Sequence, residues 1–455
     1  MPEPDYNPSG YELFRADVTS HAGVVTNFRD IITAFEISQS LEGSYLGVIS
    51  VLDNVNQLEG LPLRAEEKLD LQFKMRDTGD LIELKAQIWK IDSITPSKTS
   101  NGVTYLMHFM SRTSYKGSLK RVRKSFKNKS VNQIVESIWE DYVSSLGEAS
   151  YQDDNNRSRT LSYATQKYTM NDDNERSLYI QPSEGLLDVI IPNMIPEDAM
   201  KFLKKRAMNT DTPSHTFRFF ETIYNYYFVS DEFLIKEGIE LANNNEQKEL
   251  FYAPNASNLP TDPVQQVNRI DKLTINSRGT DSGSAMLGGA YSIKTIEIDI
   301  VKGVVNRKWW NYATDAKFLD MSGQQASIER LPHSSAYITE TFTEENAKTF
   351  VVLKDTQQPA DRPSSLRNDA NNAEIVAMRN FYNRHLSETS LAITLKGRID
   401  LVPGVIINLK IPAFSSAENT EDNRLAGNYL IKSTTHTFKG DSVSTMMNIV
   451  KFGWS

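Results

Sequence analysis

Val103-Thr104-Tyr105-Leu106-Met107-His108-Phe109 and Val443-Ser444-Thr445-Met446-Met447-Asn448-Ile449 carry one pattern, 340 residues apart (103 to 443). Val103, Tyr105, Met107 and Phe109 answer to Val443, Thr445, Met447 and Ile449 at every second position, mostly apolar, as in a strand with one buried and one wet face. Just upstream, Ile91-Asp92-Ser93-Ile94 matches Ile431-Lys432-Ser433-Thr434 at the same offset. The strand before that also has a counterpart: Leu69, Leu71 and Phe73 correspond to Ile407, Leu409 and Ile411. A looser match sets Gly43-Ser44-Tyr45 beside Gly289-Ala290-Tyr291, each followed by a strand. The order strand, hairpin, strand with matched spacing reads as one β unit used twice. The second copy is interrupted between about 304 and 389.

Working outward, residues 1–113 form the first β unit. Strands are expected at Phe28–Ile37, Tyr45–Leu52, Leu69–Met75, Ala86–Ile94 and Val103–Phe109, separated by turn residues such as Ser100-Asn101-Gly102. The period then changes. Ser130 with Gln133 three positions on is a capping box, and Val131, Ile134, Val135, Ile138, Trp139 and Tyr142 line one helical face. Gly147 is its expected terminator, and Gln152–Arg159 reads as loop. Pro196–Arg206 reads as a second helix, with Glu197 and Asp198 at its positive end. Phe217–Phe228 is aromatic and strand-like. Residues 114–262, with a helix at 130–146, are therefore expected to form an α/β domain closed by a Pro/Asn linker, Ala253–Pro263. The second β unit is expected from 263–303 and 390–455, with strands at Arg269–Ile275, Tyr291–Val301, Val405–Ile411, Asn428–Phe438 and Val443–Lys451. Between its parts lies an insertion, 304–389, irregular to 372 and ending in a helix at 373–386. Asn372 caps that helix, and Ile375, Met378, Tyr382 and Leu386 are its stripe. The fold class is thus α+β, β-dominated and multidomain: two related tube-like antiparallel β-barrel domains, an α/β domain and an irregular insertion.

Composition removes several functions. The 455 residues contain no cysteine, which excludes disulfide frameworks, thiolate zinc sites and cysteine nucleophiles. With 50 Lys+Arg against 58 Asp+Glu, the chain has no global basic field for nucleic acid. No apolar run reaches the roughly 18 residues of a spanning helix, and Met1–Pro8 lacks the blocks of a secretion signal.

The search for chemistry is negative. Among His21, His108, His215, His333, His385 and His436 there is no zinc-type pair. His385 and Glu388 share a helix end and read as solvated surface. Asp281-Ser282-Gly283 lies in a Gly/Ser-rich loop without the strand-turn-helix context of a nucleophile elbow. Gly283 and Gly288 lack the Lys-Ser/Thr of a phosphate loop. Asp153-Asp154-Asn155 and Asn171-Asp172-Asp173-Asn174-Glu175 lack the glycine and distal Glu of a calcium loop. The basic run Lys116, Lys120, Arg121, Arg123, Lys124, Lys127 and Lys129 reads as the solvated edge of a strand and helix lead-in, against a polyanion-facing alternative. No catalytic, cofactor-binding or metal residue is assigned, and no cofactor is expected.

The order of domains, the Ser130–Tyr142 and Ala373–Leu386 helices, the turn in Leu401-Val402-Pro403-Gly404-Val405-Ile406-Ile407-Asn408-Leu409 and the closing hairpin carry a resemblance. Together they resemble the central baseplate hub proteins of contractile-tailed bacteriophages, the T-even type in particular, whose plan is shared by type VI secretion spike proteins. The region 304–372 departs from that plan, being longer and more irregular. The resemblance implies a non-enzymatic homotrimer in which two tube-like β domains per chain give a six-domain ring of pseudo-sixfold symmetry. Such a ring adapts a hexameric tail tube to a trimeric spike and leaves a conduit for DNA. The implied partners are the tail tube protein ring, a central spike protein and baseplate wedge proteins, with DNA passing without sequence-specific binding. The implied place is the virion tail baseplate, assembled in the host cytoplasm. Two alternatives stay open from the residues alone. One is a tail-associated cell-wall glycan hydrolase with paired carboxylates. The other is a host-polysaccharide-binding module using the aromatic run Phe217–Phe228.

Overall fold

The computed structural model describes residues 10–61, 63–76, 79–96, 102–143, 167–168, 176–209, 216–253, 266–278, 282–300, 302–316, 343–345, 347–353, 373–386, 388–413, 421–422 and 424–452. Gly147, the stretches 152–159 and 171–175, most of the 253–263 linker, His215, His333, the 356–365 tail and Asn372 lie outside them.

The first unit holds β1 (Tyr11–Thr19), β2 (Val25–Asn27), β3 (Ile32–Ser40), β4 (Leu46–Asp53), β5 (Lys68–Met75), β6 (Leu81–Pro96) and β7 (Val103–Ser111). Their spatial order is β2-β1-β5-β6-β7-β4-β3, all antiparallel. Alternation does what it predicts: Leu69, Leu71, Phe73, Tyr105, Met107 and Phe109 are all buried in one cluster. The α/β part comprises α1 (Arg112–Ser118), β8 (Ser125–Lys129), α2 (Val131–Ile138, continued by a π turn, Trp139–Val143), β9 (Lys167–Tyr168), β10 (Leu178–Ile180), β11 (Leu187–Ile190), α3 (Pro196–Lys204), β12 (Phe217–Glu221), β13 (Tyr226–Ser230) and α4 (Asp231–Asn243). The capping box forms, the Ser130 amide donating to Gln133 Oε1 at 3.1 Å.

The second unit is built from β14 (Lys248–Tyr252), β15 (Arg269–Arg278) and, after an insertion, four further strands. The insertion holds α5 (Ser282–Gly288), β16 (Ser292–Asp299), β17 (Val304–Asn311), β18 (Lys348–Leu353) and α6 (Ala373–His385). The unit then resumes with β19 (Thr389–Lys396), β20 (Ile406–Lys410), β21 (Gly427–Lys439) and β22 (Ser442–Lys451). The order β21-β20-β14-β15-β19-β22 closes on itself through β21–β22, a six-stranded barrel. Its strands are antiparallel except β14, which runs parallel to both neighbours.

The two units match in both chain order and spatial order, β1, β3, β4, β5, β6, β7 against β14, β15, β19, β20, β21, β22, except that β14 runs opposite to β1 and, among the described residues, only the second unit closes. Their β-bulges fall at corresponding places. One follows Ile88 in β6 and Ile431 in β21; another follows Ile32 in β3 and Ile270 in β15. Pairing of Ile88 with Phe109 and of Ile431 with Ile449 therefore sets the correspondence, so Ile431 answers to Ile88 and not to Ile91. The bulge explains the offset, since an extra residue per strand shifts any comparison made by alternation alone.

Two strands sit elsewhere than the sequence pattern suggested. Ser292–Asp299 forms a separate sheet with β17 and β18, so Gly289-Ala290-Tyr291 is not the counterpart of Gly43-Ser44-Tyr45; β19 is the counterpart of β4. Lys248–Tyr252, read within 114–262, supplies the strand that closes the second barrel. It is short and reached through a helix, so no alternating run announced it. The insertion between β15 and β19 occupies the place of the short β3–β4 turn.

Candidate assembly surfaces

The two β units meet edge to edge at a seam. β21 is long enough to serve both. Its start pairs with β20, and Ser433–Lys439 pairs antiparallel with β3 from Ser40 back to Ala34. The result is one continuous 13-stranded sheet. Across the seam Ser38 Oγ and Thr435 Oγ1 lie 3.1 Å apart, and Thr437 Oγ1 donates to Glu36 Oε2 at 3.5 Å.

The seam also exchanges core. Phe438, from the second unit, is fully buried in the first unit's cluster. It stacks on Phe35 at 4.1 Å and 8° and meets Phe73 and Tyr11 edge-on at 4.9 and 5.1 Å. Beside it, His436 is buried between the units. Its Nδ1 lies 3.0 Å from Thr445 Oγ1, which itself donates to the Gly397 carbonyl. The ring therefore carries its proton on Nδ1. Nε2 faces no hydrogen-bond partner among the described residues. Burial, opposed by the charge of Asp400, lowers its pKa to about 4.

The α/β part is clamped to the first unit through Gly43. The Gly43 amide donates to the Phe219 carbonyl at 3.3 Å, and Glu221 N returns a bond to the Gly43 carbonyl at 3.0 Å. At φ +99 with Glu197 Oε1 2.8 Å from where a Cβ would sit, only glycine fits without strain. The buried Glu221 carboxylate accepts from Arg176 Nη1 at 2.5 Å and Ser114 Oγ at 2.9 Å. Arg176 also reaches Tyr226 OH at 2.8 Å. Arg218 binds buried Asp231 through Nε at 2.9 Å and Nη2 at 2.7 Å, and reaches Glu42 at 3.1 Å. Burial opposes the Arg218 charge, yet Asp231 outweighs it and raises the pKa. These charges are paired, as buried charges must be.

A cavity of about 390 Å³ between the first unit and the α/β part is lined by Glu42, Ser44, Ser114, Glu197, Phe219 and Tyr226, among others. Glu197 is held by Lys201 at 2.7 Å, as Glu42 is by Arg218, so both carboxylates face fixed cations. The Glu232 carboxyl has its pKa pushed up to about 8, by burial and then by Asp231, but it is enclosed beside Thr216 at 3.4 Å and lines none of the described cavities.

The other sequence candidates disperse. His385 and Glu388 are buried, not solvated: Nδ1 is 2.7 Å from Glu388 Oε1 and Nε2 is 2.8 Å from the Ala290 carbonyl, tying α6 to the α5–β16 connection. Ser282 begins α5 instead of lying in a loop. Of the basic run, Lys124 binds Asp141 at 2.6 Å and Arg123 binds Asn193 at 2.6 Å, beside the β8–β11 ladder. Phe217, Phe219, Phe220, Tyr226, Tyr227 and Phe228 are core, which removes the aromatic platform. No group of three or more His, Asp or Glu among the described residues could hold a metal ion. No described helix is long and apolar enough to cross a membrane.

No protein-family model matches the chain, and no curated protein matches it. Solved structures do. The 43 kDa tail protein of prophage MuSo2 from Shewanella oneidensis superimposes with TM-score 0.50 at 8% identity, covering 96% of this chain and 98% of that one. The tail protein from Neisseria meningitidis MC58 gives 0.49 at 9%, covering 97% of each chain. An E. coli type VI secretion component gives 0.41 at 9%, covering 97% of this chain and 77% of that one. These neighbours are phage tail proteins and a type VI secretion component, and at TM-score 0.50 this β-dominated chain shares its overall fold with the MuSo2 tail protein.

Proposed function

We propose that this chain is a structural hub of a phage tail baseplate: a homotrimer whose six β units form a pseudo-sixfold ring. One observation carries the reading. The same six-strand unit occurs twice and is joined edge to edge within one chain. A chain that already links two equivalent units needs three copies to present six, which lets a sixfold tail tube meet a threefold spike. The division of labour follows the structure: β1–β7 with β14, β15 and β19–β22 make the ring, while the elements from α1 to α4 and the insertion from α5 to α6 keep threefold symmetry for the spike and wedge proteins. The fold-level match to a prophage tail protein supports a place in the virion tail, with assembly in the host cytoplasm. The role is geometric, without turnover, and the ring encloses the passage for DNA.

Light scattering on the purified chain tests this. A mass of three chains, alone or with tail tube protein present, is expected. A mass of one chain under both conditions contradicts the proposal.

A further inference from the structure

The internal seam leaves its own mirror unfilled. β21 pairs on its outer edge with β3, but the equivalent edge of β6, Trp89–Pro96, pairs with no strand among the described residues. Equally, β3 accepts β21, but the equivalent edge of β15, from Asp271 to Arg278, accepts no strand among the described residues beyond the short contact of Arg269 and Ile270 with β14. Apolar side chains stand exposed on both edges. Ile37 is fully buried at the filled seam, while its counterpart Ile275 is 40% exposed. On β6, Trp89 is 41% and Ile94 55% exposed. Open strand edges with unpaired backbone groups are templates for pairing with another chain.

We infer that Ile91–Thr95 of β6 pairs antiparallel with Thr274–Arg278 of β15 in a second copy of this chain, reproducing the internal seam. The inference rests on the trimeric reading above and names its interface.

The register follows from the strand correspondence. Asp92 and Thr95 face Leu106 and Thr104 in β7, as Thr435 and Thr437 face Met446 and Ser444 in β22. Ser277 and Thr274 face Ser390 and Ala392 in β19, as Ser38 and Glu36 face Leu46 and Val48 in β4. The internal pairs Thr435–Ser38 and Thr437–Glu36 therefore become Asp92–Ser277 and Thr95–Thr274. The two open edges are also matched in a way neither requires alone. β6 carries an extra residue between Asp92 and Thr95 that β21 lacks, and β15 carries one between Ile275 and Ser277 that β3 lacks. The irregularities fall opposite one another, so the register survives both. A contact of this head-to-tail kind, repeated with the internal seam between each, closes into a ring of alternating units.

The cysteine-free chain makes the test specific. Two full-length double variants, Asp92→Cys with Ser277→Cys and Thr95→Cys with Thr274→Cys, are oxidised and run without reductant. Ser38→Cys with Thr435→Cys is the control, its hydroxyls already in contact within one chain. The control should form a disulfide and stay at one chain length. Both test pairs should convert to dimer and trimer bands that collapse on reduction. If both stay at one chain length while light scattering gives three chains, the hub stands and this interface is wrong. If the mass is one chain, both fall.

Discussion

Removing the Phe438 ring tests whether the two β units share a core or only touch. Phe438 belongs to β21, yet it fills the first unit's cluster against Phe35, Phe73 and Tyr11. A fully buried Phe→Ala change costs about 3–5 kcal/mol, transfer and cavity together. Ring contacts of the kind seen here add roughly 0.5–1.5 kcal/mol per pair beyond burial. Phe438→Ala should therefore lose about 4 kcal/mol, equivalent to about three decades in an opening equilibrium. Because the lost contacts lie in the first unit, the effect should appear in strands more than 320 positions away in sequence. Native-state amide exchange should speed up by about a thousandfold in β1, β5 and β7, with β19 and β20 little changed. Ile449→Ala, on the same hairpin but buried in the second unit's own cluster, should give the reverse distribution. Faster exchange confined to the second unit in Phe438→Ala would refute the shared core.

Three further outcomes follow from the same geometry. His436 holds a pKa of about 4 when folded against 6.5 in the unfolded chain, so its contribution is complete above pH 6.5 and is lost as pH falls toward 4. That loss is roughly 3 kcal/mol and should vanish from the urea-unfolding pH profile of His436→Gln. Glu232 has the opposite sign: its folded pKa of about 8, against 4.5 unfolded, makes ionisation destabilising as pH rises from 4.5 to 8. Glu232→Gln should raise stability at pH 7 by roughly 3 kcal/mol and leave it unchanged at pH 4, as measured by chemical unfolding. Gly47 sits under the Phe109 ring, where an added Cβ would stand 2.0 Å from Cζ. Gly47→Ala should cost at least about 1–3 kcal/mol of overpacking, read as a lower melting temperature.

The duplicated unit was legible because its buried faces obey a strict period of two. Leu69, Leu71 and Phe73 do correspond to Ile407, Leu409 and Ile411, each set lying inside its unit. What escaped was whatever breaks or lacks that period. β1 carries a bulge between Leu13 and Arg15, and β14 is too short to alternate. α4 buries Asp231, Glu232 and Glu237, so its polar residues hid a core helix. The same holds for His385 and Glu388, where charge in sequence suggested solvent and pairing in space permits burial. The seam itself had no local signature, because edge pairing is a property of two distant strands. The one sequence hint was the length of β21, Gly427–Lys439, longer than one barrel needs.

The central claim is that one chain supplies two equivalent places in a ring. Single-particle images of the purified chain viewed end-on test it most directly. The account predicts threefold particles in which six similar β lobes surround an open centre, with the remaining mass in three lobes at one end. Single chains without a ring, or a closed ring with a number of β lobes other than six, would contradict it.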